Sequence, residues 1–154
     1  MGGDYFMGSI GERLKDHWRR DFVSTRPGAT EAEMAAFEEK YGVRMPDDLR
    51  DYFATVNGFD LDKTGFCDEN CFSFFPLEKV VPLSNEWWKD SEGNSYFILV
   101  DFMISSHVYG IQLGKDSENP VFVAYPRDHP IRIGDSFSDF VESYLHGAST
   151  ILGY

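Results

Sequence analysis

Residues 28 to 60 read GATEAEMAAFEEKYGVRMPDDLRDYFATVNGFD, and they carry two short helices with start and stop signals in place. Thr30 stands where an N-cap belongs, and Glu33 follows three residues later, the spacing of a capping box. Met34, Phe37 and Tyr41 then recur at helical spacing, so one face is apolar. Gly42 stops the helix, because glycine enters the left-handed region without a Cβ penalty. Pro46 opens the next helix, where its missing N–H costs nothing. Asp47 and Asp48 place negative charge at the positive end of the helix dipole. Leu49, Tyr52, Phe53 and Val56 form a second apolar stripe, which Asn57-Gly58 closes.

Outward from this stretch the pattern changes twice. Upstream, Ser9 to Val23 reads as a helix with Ser9 as cap and Glu12 completing the box. Ile10, Leu14, Trp18 and Phe22 recur every four residues and should line one side. Downstream, residues 59 to 70 are acidic and read as a loop. Cys71 to Phe75 reads as a short strand, and Leu77 to Leu83 as a turn or an extended piece. Glu86 to Lys89 reads as a helical turn before a polar loop. Tyr96 to Phe102 is an almost continuous apolar run, the mark of a central strand. Val108 to Leu113, with Gly110 as a bulge signal, Val121 to Tyr125 and an edge piece at Ile131 to Ile133 complete the strands. Ser136 then caps a final helix whose buried face is Phe137, Phe140, Val141, Tyr144 and Leu145. Helices first, closely spaced strands next and a helix last predict one α+β domain. Its sheet should be mostly antiparallel, since the connections are too short for helical crossovers. The expected boundaries are tails at 1–8 and 148–154 around a domain at 9–147.

The order of these signals resembles the SUKH superfamily, which includes the Smi/Knr-type fungal cell-wall assembly regulator and many bacterial toxin-immunity proteins. The matching positions are Thr30, Glu33, Phe37, Glu38, Gly42, Pro46, Leu49, Asn57 and Gly58. Phe74-Phe75-Pro76-Leu77 with Val80 resembles the next strand and turn, and SFSDFVESYL at 136 to 145 resembles the closing helix. The resemblance covers about residues 18 to 146 and is most specific from 28 to 60. It implies an α+β fold and a non-catalytic protein-binding role. Toxin immunity is the leading expectation and a regulatory scaffold the alternative.

With 154 residues, the chain has the size of one domain that can bury a self-supporting core. Aromatic residues make up 16% of it, including 14 Phe, so large rings should dominate that core. The net charge of −12 opposes binding to nucleic acid or to an anionic membrane, and it allows long-range steering of a basic partner. No run approaches the about 20 apolar residues of a membrane span. The opening MGGDYFMGS lacks the basic and apolar regions of a secretory signal, and Phe6 stands where myristoylation wants Ser or Thr. The expected address is therefore the cytoplasm. Two cysteines, Cys67 and Cys71, do not make a disulfide framework.

Asp60, Asp62, Thr64, Gly65 and Asp68 follow the spacing of a calcium loop, but Cys71 stands where the bidentate Glu belongs. Cys67 and Cys71 have no second ligand pair for zinc, and His107, His129 and His146 are scattered singly. Ser105-Ser106-His107 brings together the types needed for nucleophilic catalysis, yet neighbours on a strand face opposite ways. No phosphate loop, nucleophile elbow or zinc-protease helix is present. No cofactor, metal or catalytic residue is therefore expected. Two acidic clusters stand out instead. One holds Asp60, Asp62, Asp68 and Glu69; the other holds Glu86, Trp87, Trp88 and Asp90. Exposed Trp beside carboxylates suits a protein partner rich in Lys or Arg, such as a basic toxin domain.

Overall fold

The computed structural model describes residues 8–64, 67–83, 96–103, 106–114, 118–126, 128 and 130–147. Helix α1 spans Ile10–Arg20. Its capping box is complete: Glu12 N–H donates to Ser9 Oγ at 3.2 Å, and Ser9 N–H to Glu12 Oε1 at 3.4 Å. Leu14 and Trp18 are fully buried, as their spacing requires. Phe22 breaks the expected stripe. The helix has ended by Asp21, and Phe22 adopts φ +61° with 94% of its surface exposed. Val23 N–H bonds to Trp18 O at 2.9 Å and Phe22 N–H to Arg19 O at 3.2 Å. This is a Schellman termination with Phe at the position glycine favours. The left-handed backbone turns its ring away from the core.

Helix α2, Glu31–Tyr41, carries the predicted Thr30–Glu33 box, with bonds of 3.1 and 2.8 Å. Gly42 ends it at φ 65°. Helix α3 spans Asp47–Thr55, and Pro46 occupies the cap itself, not the first helical turn. The next residues depart from the sequence reading. Val56–Phe59 forms strand β2, antiparallel to β1 at Thr25–Pro27. Asn57-Gly58 is therefore part of a strand rather than a helix end. Asn57 Oδ1 accepts Leu77 N–H at 2.7 Å inside the protein. Gly58, at φ 71°, lies so close to the chain at Phe75 and Pro76 that a Cβ would sit 2.5 Å from their backbone atoms. Only glycine meets both conditions.

One helical turn, α4 at Leu61–Thr64, interrupts the expected loop. The main sheet then assembles from β3 (Phe72–Phe74), β4 (Val81–Pro82), β5 (Tyr96–Phe102), β6 (His107–Gln112), β7 (Val121–Ala124) and β8 (Ile131–Gly134). A 3-10 turn at Leu77–Lys79 separates β3 from β4. All pairings are antiparallel in the order β3-β5-β6-β7-β8, with β4 also beside β5. The bulge signalled by Gly110 falls on the opposite strand: Ile98 pairs with Gly110 and Val100 with Tyr109, leaving Leu99 as the extra residue. Gly110 is needed for close approach, because a Cβ there would lie 2.1 Å from Phe97 O. Strand β8 is an edge, as expected, with Ile131 and Ile133 about half exposed.

Helix α5, Phe137–His146, closes the chain with Ser136 as cap. Asp48 ties the two capped helix starts together, accepting Ser138 N–H at 2.9 Å and Ser138 Oγ–H at 2.7 Å. Helices α1, α3 and α5 pack on one another and on one face of the sheet. The core between them is aromatic. The Trp18 ring lies 4.9 Å from Phe59 and 4.8 Å from Phe74, both nearly edge to face. The opposite sheet face holds a smaller cluster of Val108, Phe122 and Ala124 with Leu83, Tyr96 and Ile98 packed against it. The architecture is the α+β single domain expected, a mostly antiparallel sheet with helices at its start and end.

Candidate functional site

The acidic segment after Phe59 is anchored at both ends. At its start, Asp60 N–H donates to Ser24 O at 2.8 Å, tying it to the segment just before β1. Asp60 Oδ1 accepts Asp62 N–H at 3.2 Å, and Lys63 N–H reaches Asp60 O at 3.1 Å, so Asp60 starts the turn of α4. Carboxylates at a helix start are favoured by its unpaired N–H groups. Asp62 is exposed, and Asp60 is half-buried.

At its far end, Asp68 behaves differently from the solvated carboxylate expected of it. It is only 8% exposed, and its oxygens are engaged within the protein. Oδ1 accepts Asn70 N–H at 2.9 Å and Phe72 N–H at 3.0 Å. Oδ2 accepts the Tyr144 hydroxyl at 2.5 Å, and that hydroxyl oxygen accepts Trp18 Nε1–H at 2.8 Å. The chain Trp18–Tyr144–Asp68 joins α1, α5 and the acidic loop through a buried polar line. Burial, reinforced by the Asp68 charge, pushes the Tyr144 phenol far above its ordinary range, so it remains a donor. Asp68 fastens the loop, with its carboxylate turned inward. Glu69, in the turn that Asp68 braces, is exposed. Glu86, Trp87, Trp88 and Asp90 lie outside the described residues.

The calcium-loop spacing is not realised, because α4 begins at the second position and Asp68 turns inward. Among the described residues, no group of three or more His, Cys, Asp or Glu side chains is arranged to hold a metal ion. The described histidines, His17, His107 and His146, have local partners. His17 pairs with Asp21 at 3.4 Å, and His146 Nδ1 lies 2.7 Å from Glu142 O. His107 Nε2 lies 2.9 Å from the Tyr109 hydroxyl, and its ring stacks on Phe102 at 4.7 Å. No described helix is long and apolar enough to cross a membrane.

Charge is segregated in a way the total of −12 conceals. Residues 9 to 26 hold five basic against three acidic side chains, a net +2, so the rest of the chain carries −14. This basic segment is α1 and β1. Arg19 pairs with Asp16 inside it, while Arg13 and Arg26 reach Glu142 and Glu78 outside it. In the described part of the acidic remainder, Arg50 bridges Glu31 and Glu38 at 2.6 Å each, and Arg132 pairs with Asp135 at 2.7 Å. Glu39, Asp47, Asp62, Glu69 and Glu118 are exposed. The clustering was countable in the sequence, but its meaning needed the fold, which gathers these bases on one helix and strand.

The order of these elements from Gly28 to α5 can be set against known proteins. No curated protein matches the sequence. A family model described as SMI1 / KNR4 family (SUKH-1) matches residues 28–143, from the turn before α2 to the body of α5. That match takes in the capping box at Thr30, the strand residues Asn57 and Gly58 and the whole main sheet, about three quarters of the chain. The chain belongs to the SMI1 / KNR4 family (SUKH-1).

Proposed function

We propose that this protein is a non-catalytic protein-binding domain of the immunity type, which binds and neutralises a toxin domain with a basic working surface. The observation that carries the reading is the segregated charge: the sequence outside residues 9 to 26 carries −14, and Asp62 and Glu69 stand exposed on a segment anchored by Asp60 and Asp68. A rigid acidic surface steers a basic partner and holds it without ordering cost on binding. A nuclease is the toxin class whose cleft is most basic, since it is built to hold phosphates. Acidic loops docked there would occupy the place of nucleic acid. Family membership supports a recognition role, because the family unites immunity proteins and the Smi1/Knr4 regulators. Action on an internal toxin places the protein in the cytoplasm. By residue type, Trp87 and Trp88 with Glu86 and Asp90 would supply an aromatic anchor beside carboxylates for such a partner.

The test is co-expression. A cell producing the basic toxin encoded beside this gene should survive when this chain is supplied. Unchanged killing at a saturating level of folded protein would remove the immunity reading and leave the regulatory branch of the family.

A further inference from the structure

Cys67 and Cys71 flank the turn that Asp68 organises. The turn is held tightly: Cys71 N–H donates to Asp68 O at 3.0 Å and Asp68 N–H to Phe72 O at 2.8 Å. Cys71 is pinned again from the β5–β6 connection, where Met103 N–H donates to Cys71 O at 2.9 Å. It sits at φ 73°, a conformation that non-glycine residues adopt only when their surroundings impose it. Both cysteines are partly exposed, and they interact across the turn. Two interacting thiols on a hydrogen-bonded, solvent-reachable turn are arranged for ring closure, because the backbone has settled their orientation before reaction.

We propose that Cys67 and Cys71 are a reversible oxidation site, closing to an intramolecular disulfide in thiol–disulfide exchange with a small-molecule disulfide. One cysteine thiolate attacks a sulfur of the oxidant, forms a mixed disulfide and expels one small thiol. The second cysteine then displaces the other small thiol and forms the Cys67–Cys71 bond. The two cysteines lose two protons and two electrons, and the oxidant carries them away as two thiols.

Burial pushes the Cys67 thiol up, and the neighbouring Cys71, Asp68 and Asp101 push it further. The acidic surroundings that hold the Cys67 proton also repel anionic disulfides and admit neutral ones. Closure would staple the turn carrying Glu69 to the residue just before β3, beside the bond from Asp68 to Tyr144. This site does not depend on the identity of a protein partner.

The experiment treats the folded chain with excess 2-hydroxyethyl disulfide, a neutral oxidant, and follows free thiols and intact mass. The expected product has no free thiol, a mass lower by two hydrogens and no retained adduct. Its closure step should run about tenfold or more faster in the native protein than in the urea-unfolded chain, because the fold aligns the pair. Cys67→Ser and Cys71→Ser should each stop at one hydroxyethyl adduct on the remaining cysteine, because no second thiol is there to displace it. A wild-type protein that keeps stable adducts, cross-links into dimers, or closes no faster folded than unfolded overturns the proposal. The wild-type comparison decides the matter even if a variant fails to fold.

Discussion

Replacing Phe22 with glycine should stabilise this protein, although it deletes an aromatic side chain. Phe22 follows the last turn of α1 at φ 61°, and 94% of its surface is exposed. The ring therefore contributes almost no burial that could be lost. The left-handed backbone costs a residue with a Cβ roughly 1–2 kcal/mol, and glycine avoids that strain. Glycine also brings more freedom to the unfolded chain, a cost of about 0.4–1 kcal/mol. The difference leaves a gain of about 0.5–1 kcal/mol, which for a domain of this size raises the melting temperature by roughly 2–3 °C. Phe22→Ala keeps the Cβ and should leave the melting temperature nearly unchanged. Thermal unfolding followed by circular dichroism reads both. A Phe22→Gly protein that melts lower than wild type, or an alanine variant that gains as much as glycine, would refute the assignment of strain to the backbone at this position.

Three further outcomes follow from the interior. Tyr144→Phe removes the hydroxyl linking Trp18 Nε1 to Asp68 Oδ2, orphaning two buried polar atoms, so urea unfolding should show a loss of about 2–3 kcal/mol. Tyr52→Phe should do the reverse: its hydroxyl is buried with no hydrogen-bond partner among the described residues, and removing it should hold stability or raise it by about 1 kcal/mol in the same assay. Burial depresses the His107 pKa below 6.5, with Asp101 opposing, so the unfolded chain takes up a proton at this site before the folded one does. Stability from this site is thus complete above pH 6.5 and declines as pH falls toward the lower folded value. The difference between wild type and His107→Gln, measured by urea unfolding from pH 7.5 down to pH 5, should shrink over that interval.

Local signals were the most legible. Both capping boxes, at Ser9–Glu12 and Thr30–Glu33, and the long strand at Tyr96–Phe102 obey rules that act within a few residues. The misreadings arose where a distant partner decides the outcome. Val56 fits a helical stripe by spacing, yet pairing with β1, itself three residues ending in proline, turns Val56–Phe59 into a strand. Phe22 fits the α1 stripe too, and only the termination geometry, with phenylalanine where glycine is usual, swings it outward. Asp68 shares a loop with three exposed or half-exposed carboxylates, but its bond to Tyr144 spans 76 residues of sequence. No local pattern announces a contact of that range. The candidate surface is legible in composition because net charge is a sum over residues. Which of its carboxylates turn inward, as Asp68 does, is a property of the fold.

The central claim is that recognition works through a preformed acidic surface, with no bond made or broken. The most direct measurement is a calorimetric titration of the folded chain with the basic toxin domain encoded beside its gene, at low and high salt. The account predicts one-to-one binding that weakens with salt, and weakens again in a variant carrying lysine at the exposed Asp62 and Glu69 whose melting temperature is unchanged. Binding indifferent to both salt and charge reversal, or no binding at either salt concentration, would contradict it.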